Sequence, residues 1–176
     1  LSNPPVIRAW ASVAGKKESE GPLAAYFDIT SQDTYFAQKT WEQAEKRMQQ
    51  LALEILAKKA GINKEEFPLV YSGDLLNQCT GSVFGIRELN ISYFGLFGAC
   101  STMGESLALA SLLLNGGYGT VAGALTSSHF CSAERQYRTP IEYGGQKPPS
   151  AQWTVTGAGA FLVGGEEAGG VTIRAV

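Results

Sequence analysis

The residue best placed to do chemistry in this sequence is a cysteine. Cys100 lies in "YFGLFGACSTMGESLALASLLLNGG", where an apolar, aromatic run gives way to small polar residues and then to a helical pattern. A thiolate at the first turn of a helix gains roughly 0.3–1 kcal/mol from the helix dipole. At about 1.36 kcal/mol per pKa unit that is well under one unit, so a working nucleophile also needs a basic or cationic partner. The sequence holds one histidine, His129, in "TSSHF". One Cys and one His, with no second base and no obvious acid, make an incomplete set. Cys79 and Cys131 read as ordinary buried or loop thiols. Three cysteines without metal-ligand spacing give neither a disulfide framework nor a metal site, and a reducing compartment is expected.

The elements that must position these residues follow from periodicity. "PVIRAWASVAG" (5–15) alternates as a first strand, and the polar stretch after it is a loop with one turn at 23–27. Trp41, Ala44, Met48, Leu51, Ala52, Ile55 and Leu56 recur at helical spacing, with Thr40 as a cap and Gly61 as a stop. Buried strands are expected at 68–74, 92–98 and 119–128, and short and long helices at 80–90 and 101–115. The second helix should bury Met103, Leu107, Ala110 and Leu114. Residues 129–157 read as a long polar loop. "AGAFLVGG" and "GGVTIRAV" read as two strands joined by "GEEAGG", pairing antiparallel at one edge. Strands alternating with helices give an α/β fold: a mainly parallel sheet of about five strands, covered on both faces. In such a sheet the loops at the carboxyl ends of the strands share one rim. "SGDLLNQ", "FGACST" and "TSSHF" should all lie there.

Composition narrows the class. The chain has 176 residues, 44% hydrophobic and 17% charged, with a net charge of −2 and no basic stripe, which argues against a nucleic-acid partner. The run "LALASLLL" is far short of the roughly 20 residues of a bilayer crossing. The opening "LSNPPVIRAW" without Met and the closing "GGVTIRAV" in mid-strand suggest a piece of a longer polypeptide.

"GACST" opening a helix, preceded by "GDLLNQ" and followed by "TSSH", "AERQYR" and "EYGGQKPPSAQWTVTGAGA", resembles the stage V sporulation protein AD family of spore-forming bacteria. The resemblance covers nearly the whole chain. It implies a thiolase-like fold made of two similar halves, with residues 1–176 as the first. It implies a component of the apparatus that moves dipicolinic acid, as its calcium chelate, into and out of the spore. That component would be peripheral to the cytoplasmic face of the spore inner membrane and work with other proteins of the same complex. Cys100 matches the position of the thiolase nucleophile, whose catalytic companions come from the second half. The expectation is therefore a non-catalytic binding protein without a resident cofactor. The alternative is a condensing enzyme that uses Cys100 to carry an acyl group. Thiolase-like proteins pair through an edge strand of the first half, and small, apolar "GTVAGALTSS" is the candidate edge for a homodimer.

The candidate ligand-binding residues are Asp74, Asn77, Cys100, Ser101, Thr102, His129 and Arg135. Asp74 either meets a calcium ion lying between it and the dianion or caps a backbone turn, and Asn77 could assist either. Ser101 and Thr102 can cap the helix. His129 is a pocket residue or a satisfied structural one. Arg135 and Arg138 offer guanidinium forks suited to a carboxylate, or are tied up by a neighbouring acid such as Glu134.

Overall fold

The stripe that begins at Trp41 forms the longest helix, α1 (Trp41–Ala60), for the reasons legible in its ends. In the computed structural model Thr40 Oγ1 accepts the Gln43 N–H at 3.2 Å, and Gly61 closes the helix in the left-handed region with φ 65°. Ala44, Met48, Ala52, Leu53 and Leu56 are buried against the sheet, together with Glu45 and Gln49 on the same inner face. The structure describes residues 1–63, 66–67, 69–137, 150, 152–165 and 170–176. Arg138 and the motif "EYGGQKPP" lie outside them.

The remaining elements are β1 (Val6–Ala14), β2 (Ile29–Thr30), β3 (Val70–Gly73), α2 (Thr80–Arg87), β4 (Tyr93–Gly95), α3 (Thr102–Asn115), β5 (Val121–Ser128), α4 (Phe130–Tyr137), β6 (Gly157–Gly164) and β7 (Val171–Thr172). The sheet runs β2-β1-β6-β5-β3-β4, with β7 also on β1. Parallel pairing holds for β5-β3-β4, as the crossover helices require. One face carries α1 and α2, and the other α3, so the sheet is covered on both sides.

Three expectations are corrected. The last two strands do not pair with each other at an edge. β6 lies antiparallel between β1 and β5, and β7 lies antiparallel on the far side of β1. The small residues of "GTVAGALTSS" form an interior strand, because β6 and β3 flank β5 on both sides. The exposed edge at that end is instead β4, where Phe94 is 58% exposed and Phe97, just beyond the strand, 59%. Finally, the polar stretch after His129 opens with helix α4. Its inner face is built from Ser132 and Ala133, too small and polar to leave an apolar period.

Helix α3 buries Thr102, Ser106, Ala110 and Ser111, so of the expected apolar face only Ala110 is fully covered. Its leucines pack part-buried against Tyr71, Ala122 and Val163, and Leu112 stays 49% exposed.

Candidate functional site

Strands β3, β4 and β5 run parallel, so their carboxyl ends bring the three expected loops to one rim. Between β4 and α3 the chain makes a tight turn, Ala99–Ser101, with Ala99 at φ 48°. Gly98 is demanded there by space. A Cβ on it would sit 2.6 Å from both Ser101 Oγ and Glu105 Oε2. The Ser101 hydroxyl donates to the Gly98 carbonyl at 2.7 Å, and Thr102 Oγ1 accepts the Gly98 N–H at 3.2 Å. Both side chains thus hold the turn rather than cap the helix, and Thr102 is buried. The turn leaves Cys100 exposed.

Cys100 borders a hollow of about 610 Å³ with Ser127, Ser128, Glu18, Met103 and Trp153 among its walls. Of the candidate residues only Cys100 lines it. His129 borders a separate, smaller hollow of about 140 Å³ that shares Glu18 and Trp153 with the first. Its ring is fully committed: Nε2–H donates to the Thr34 carbonyl at 2.8 Å, which leaves Nδ1 to accept the Cys131 N–H at 3.2 Å. Burial holds its pKa below the usual histidine value. Trp153 stacks on Phe130 with ring centroids 4.5 Å apart, and Lys17 Nζ lies 3.5 Å from the Trp153 ring centre. Asn77 and Arg135 border a third hollow of about 260 Å³ beyond α4. There Gln136 accepts the Asn77 N–H at 2.9 Å. Arg135 pairs with Glu42 and lies over the Trp41 ring at 5.3 Å.

Asp74 is buried and serves the backbone. Oδ1 accepts the Leu76 N–H at 2.8 Å, and Oδ2 accepts the Ser82 N–H and hydroxyl, both at 2.7 Å. The same network runs into the core. Gln49 Nε2 donates to Ser82 Oγ at 2.9 Å and to Ser127 Oγ at 2.7 Å. Ser127 donates to Glu45 Oε1 at 2.9 Å and Ser132 to Glu45 Oε2 at 3.0 Å. Glu45 has no exposure, and desolvation, with the charge of Asp74 second, pushes its pKa up to about 7.

The residues that sequence reasoning missed are Glu18, Glu45, Ser127 and Trp153. Glu18 and Trp153 lie in aperiodic polar stretches that gave no signal. Glu45 and Gln49 did leave one: they sit four apart on the inner stripe of α1, among residues that a purely apolar contact would require to be hydrophobic.

The model of one protein family, stage V sporulation protein AD, matches residues 1–176 throughout. The chain belongs to the stage V sporulation protein AD family. A curated relative, stage V sporulation protein AD of Bacillus subtilis (strain 168), is 43% identical over 163 residues, 93% of this chain and 48% of that protein. The chain therefore spans about half the length of its relative in the family.

Solved structures confirm the thiolase-like fold. OleA of Xanthomonas campestris superposes with a TM-score of 0.61 at 17% identity, covering 94% of this chain and 57% of that one. The priming β-ketosynthase of the R1128 polyketide pathway gives 0.59 at 17%, covering 94% and 51%. The 3-oxoacyl-[acyl-carrier-protein] synthase III of Aquifex aeolicus VF5 gives 0.58 at 14%, covering 93% and 54%. Among the described residues no helix is long and apolar enough to cross a membrane, and no three His, Cys, Asp or Glu side chains are gathered to hold a metal ion.

Proposed function

We propose that this chain supplies the cysteine-bearing wall of a pocket that binds dipicolinate, free or as its calcium chelate, without catalysis, in a sporulation protein. The observation that carries the non-catalytic reading is the commitment of His129. The chain's one imidazole donates through one nitrogen and accepts through the other, both to backbone, and it borders a different hollow from Cys100. It has no lone pair with which to take the Cys100 proton.

The hollow beside Cys100, about 610 Å³ and walled by polar as well as apolar residues, has room for a small carboxylate ligand. Glu18 works against a bare dianion. Its Oε1 accepts the Thr156 N–H at 3.1 Å, and its buried Oε2 has no hydrogen-bond partner. A calcium ion carried with dipicolinate would supply that oxygen with a hard cation and neutralise the repulsion. Titration of the intact protein with dipicolinate, with and without calcium, tests the reading. Binding absent at millimolar concentration removes it.

The partners follow as part of the same proposal. A homodimer would form by extension of the sheet across β4, whose exposed Phe94 gives it an apolar edge. The protein would sit at the cytoplasmic face of the spore inner membrane beside other components of the dipicolinate apparatus.

One observation favours the second reading, a condensing enzyme. Cys100 is exposed at the head of α3, on a turn with a left-handed alanine before it. Incubation with an acyl-coenzyme A decides it by intact mass. A stable adduct lost in Cys100→Ser supports acyl transfer, and an unmodified protein excludes it.

A further inference from the structure

Trp153 stands between two unlike neighbours. Phe130 stacks on one face of the indole, with ring centroids 4.5 Å apart and 28° between the planes. Lys17 Nζ lies over the ring at 3.5 Å from its centre. Two rings that close leave no room between them for an ammonium, so Lys17 covers the opposite face. The indole is still 48% exposed, and Lys17 is an exposed residue with a flexible stem. Phe130, held in α4, is thus the fixed backing of a platform, and Lys17 is a movable cover on its front.

The smaller hollow, of about 140 Å³, is bordered by Lys16, Lys17, Glu18, Phe130 and Trp153 among others. An apolar cavity of about 150 Å³ takes one benzene ring, so the space suits a single six-membered ring. Its charged border sets the ammoniums of Lys16 and Lys17 against the carboxylate of Glu18, since burial keeps His129 uncharged at neutral pH. An aromatic face and an excess of positive charge together select a flat, anionic ligand.

We propose that the Lys17 face of Trp153 is the seat of the ligand's ring: a planar aromatic carboxylate displaces the ammonium, stacks on the indole, and takes Lys17 as the partner of one carboxylate. The proposal rests on the reading that this protein binds dipicolinate, and it names the residues that tell dipicolinate from an open-chain dicarboxylate. The exchange costs little. A solvent-exposed cation–π contact is weak. Ring stacking and a charge-assisted hydrogen bond replace it. Trp153 and Glu18 border the Cys100 hollow as well, so a ring seated here lies at the boundary the two hollows share.

The test is calorimetric titration of the intact protein with dipicolinate, with calcium and without. Glutarate, which spaces two carboxylates as dipicolinate does but has no ring, is titrated in parallel and should bind wild type at least about tenfold more weakly. Trp153→Leu should lose about tenfold toward dipicolinate, and Trp153→Phe, which keeps a flat ring, should recover most of it. Lys17→Gln, a change at an exposed position, should weaken dipicolinate and make its binding less sensitive to salt. Tryptophan emission, excited beyond the ligand's absorption, should be quenched by dipicolinate in wild type and much less in Trp153→Leu. Glutarate bound as tightly as dipicolinate, binding without quenching, or wild-type affinity in both Trp153→Leu and Lys17→Gln overturns the platform while leaving dipicolinate binding in place. A loss that Trp153→Phe shares in full, with a lowered urea midpoint, marks a structural role and also overturns it. No binding by wild type in either form overturns the proposed ligand, and the platform with it.

Discussion

Replacing Asp74 by Asn separates a structural carboxylate from a ligand contact. The side chain accepts three hydrogen bonds, from Leu76 N–H through Oδ1 and from the Ser82 N–H and hydroxyl through Oδ2. An asparagine keeps the two Ser82 bonds by placing its oxygen at the Oδ2 position. Its NH2 group then confronts the Leu76 N–H, donor against donor. One charge-assisted bond worth about 1.5–3 kcal/mol is lost, and two become weaker neutral bonds, for a total of about 3 kcal/mol. Relief of repulsion with Glu45 offsets part of this, only where Glu45 is ionised. The rise of Glu45 from 4.5 to about 7 has desolvation as its larger cause and Asp74 second. Asp74→Asn should therefore cost about 3 kcal/mol at pH 6, where Glu45 is mostly neutral, and less at pH 8, where the repulsion it relieves is present. Urea unfolding of the intact protein at the two pH values measures both. A variant as stable as wild type that has lost dipicolinate binding would refute the reasoning and make Asp74 a ligand contact.

Glu45→Gln should change how stability depends on pH. A buried acid whose folded pKa is raised holds its proton better in the folded state, so stability present below about pH 4.5 is lost as pH rises to about 7. The loss is on the order of 3 kcal/mol, and in the variant urea midpoints should no longer carry this fall with rising pH. His129 acts oppositely: its lowered pKa makes stability fall as pH drops below about 6.5, a limb that Glu45→Gln should leave intact. Gly73→Ala would put a Cβ against the Leu96 carbonyl and 2.7 Å from Thr102 Cγ2, so thermal unfolding should show a loss of more than about 2 kcal/mol. Residues 1–176 alone should self-associate in sedimentation through the part-buried leucines of α3 and the Phe94 edge, and a clean monomer would contradict that.

Most of the fold is legible because its signals are local. Thr40, the stripe from Trp41 to Leu56, and Gly61 fix α1 without reference to the rest of the chain. Strand order is not local. Small apolar residues in "GTVAGALTSS" allow close approach of any neighbour, and nothing in that segment distinguishes β6 of the same chain from a strand of a second copy. What decides is the antiparallel return of β6 between β1 and β5, a pairing between segments that are far apart in sequence. Conversely, β4 reads as buried because it is aromatic, yet it is an edge whose Phe94 stacks on Tyr71 at 5.7 Å along the outer margin of the sheet.

The site was legible to the level of the rim and no further, and strand alternation explains why. On β5, Leu125 belongs to the core beneath α1, so Ser127, two residues on, faces the same helix and meets Glu45 and Gln49. Ser128 points the other way and donates to the Val155 carbonyl at 2.6 Å. His129 lies one residue past the strand, where the period of two no longer applies, and the turn into α4 carries it to Thr34. Three consecutive polar residues thus enter three different environments within one turn of chain. The residue that meets the buried acid is the first serine of "TSSH", chosen by its parity with Leu125. Its chemical importance depends on Glu45, about eighty residues earlier, holding a carboxyl where α1 would otherwise bury a hydrocarbon side chain. Replacing that carboxyl by a methyl-bearing side chain would remove the acceptor that holds the Ser127 hydrogen in the core.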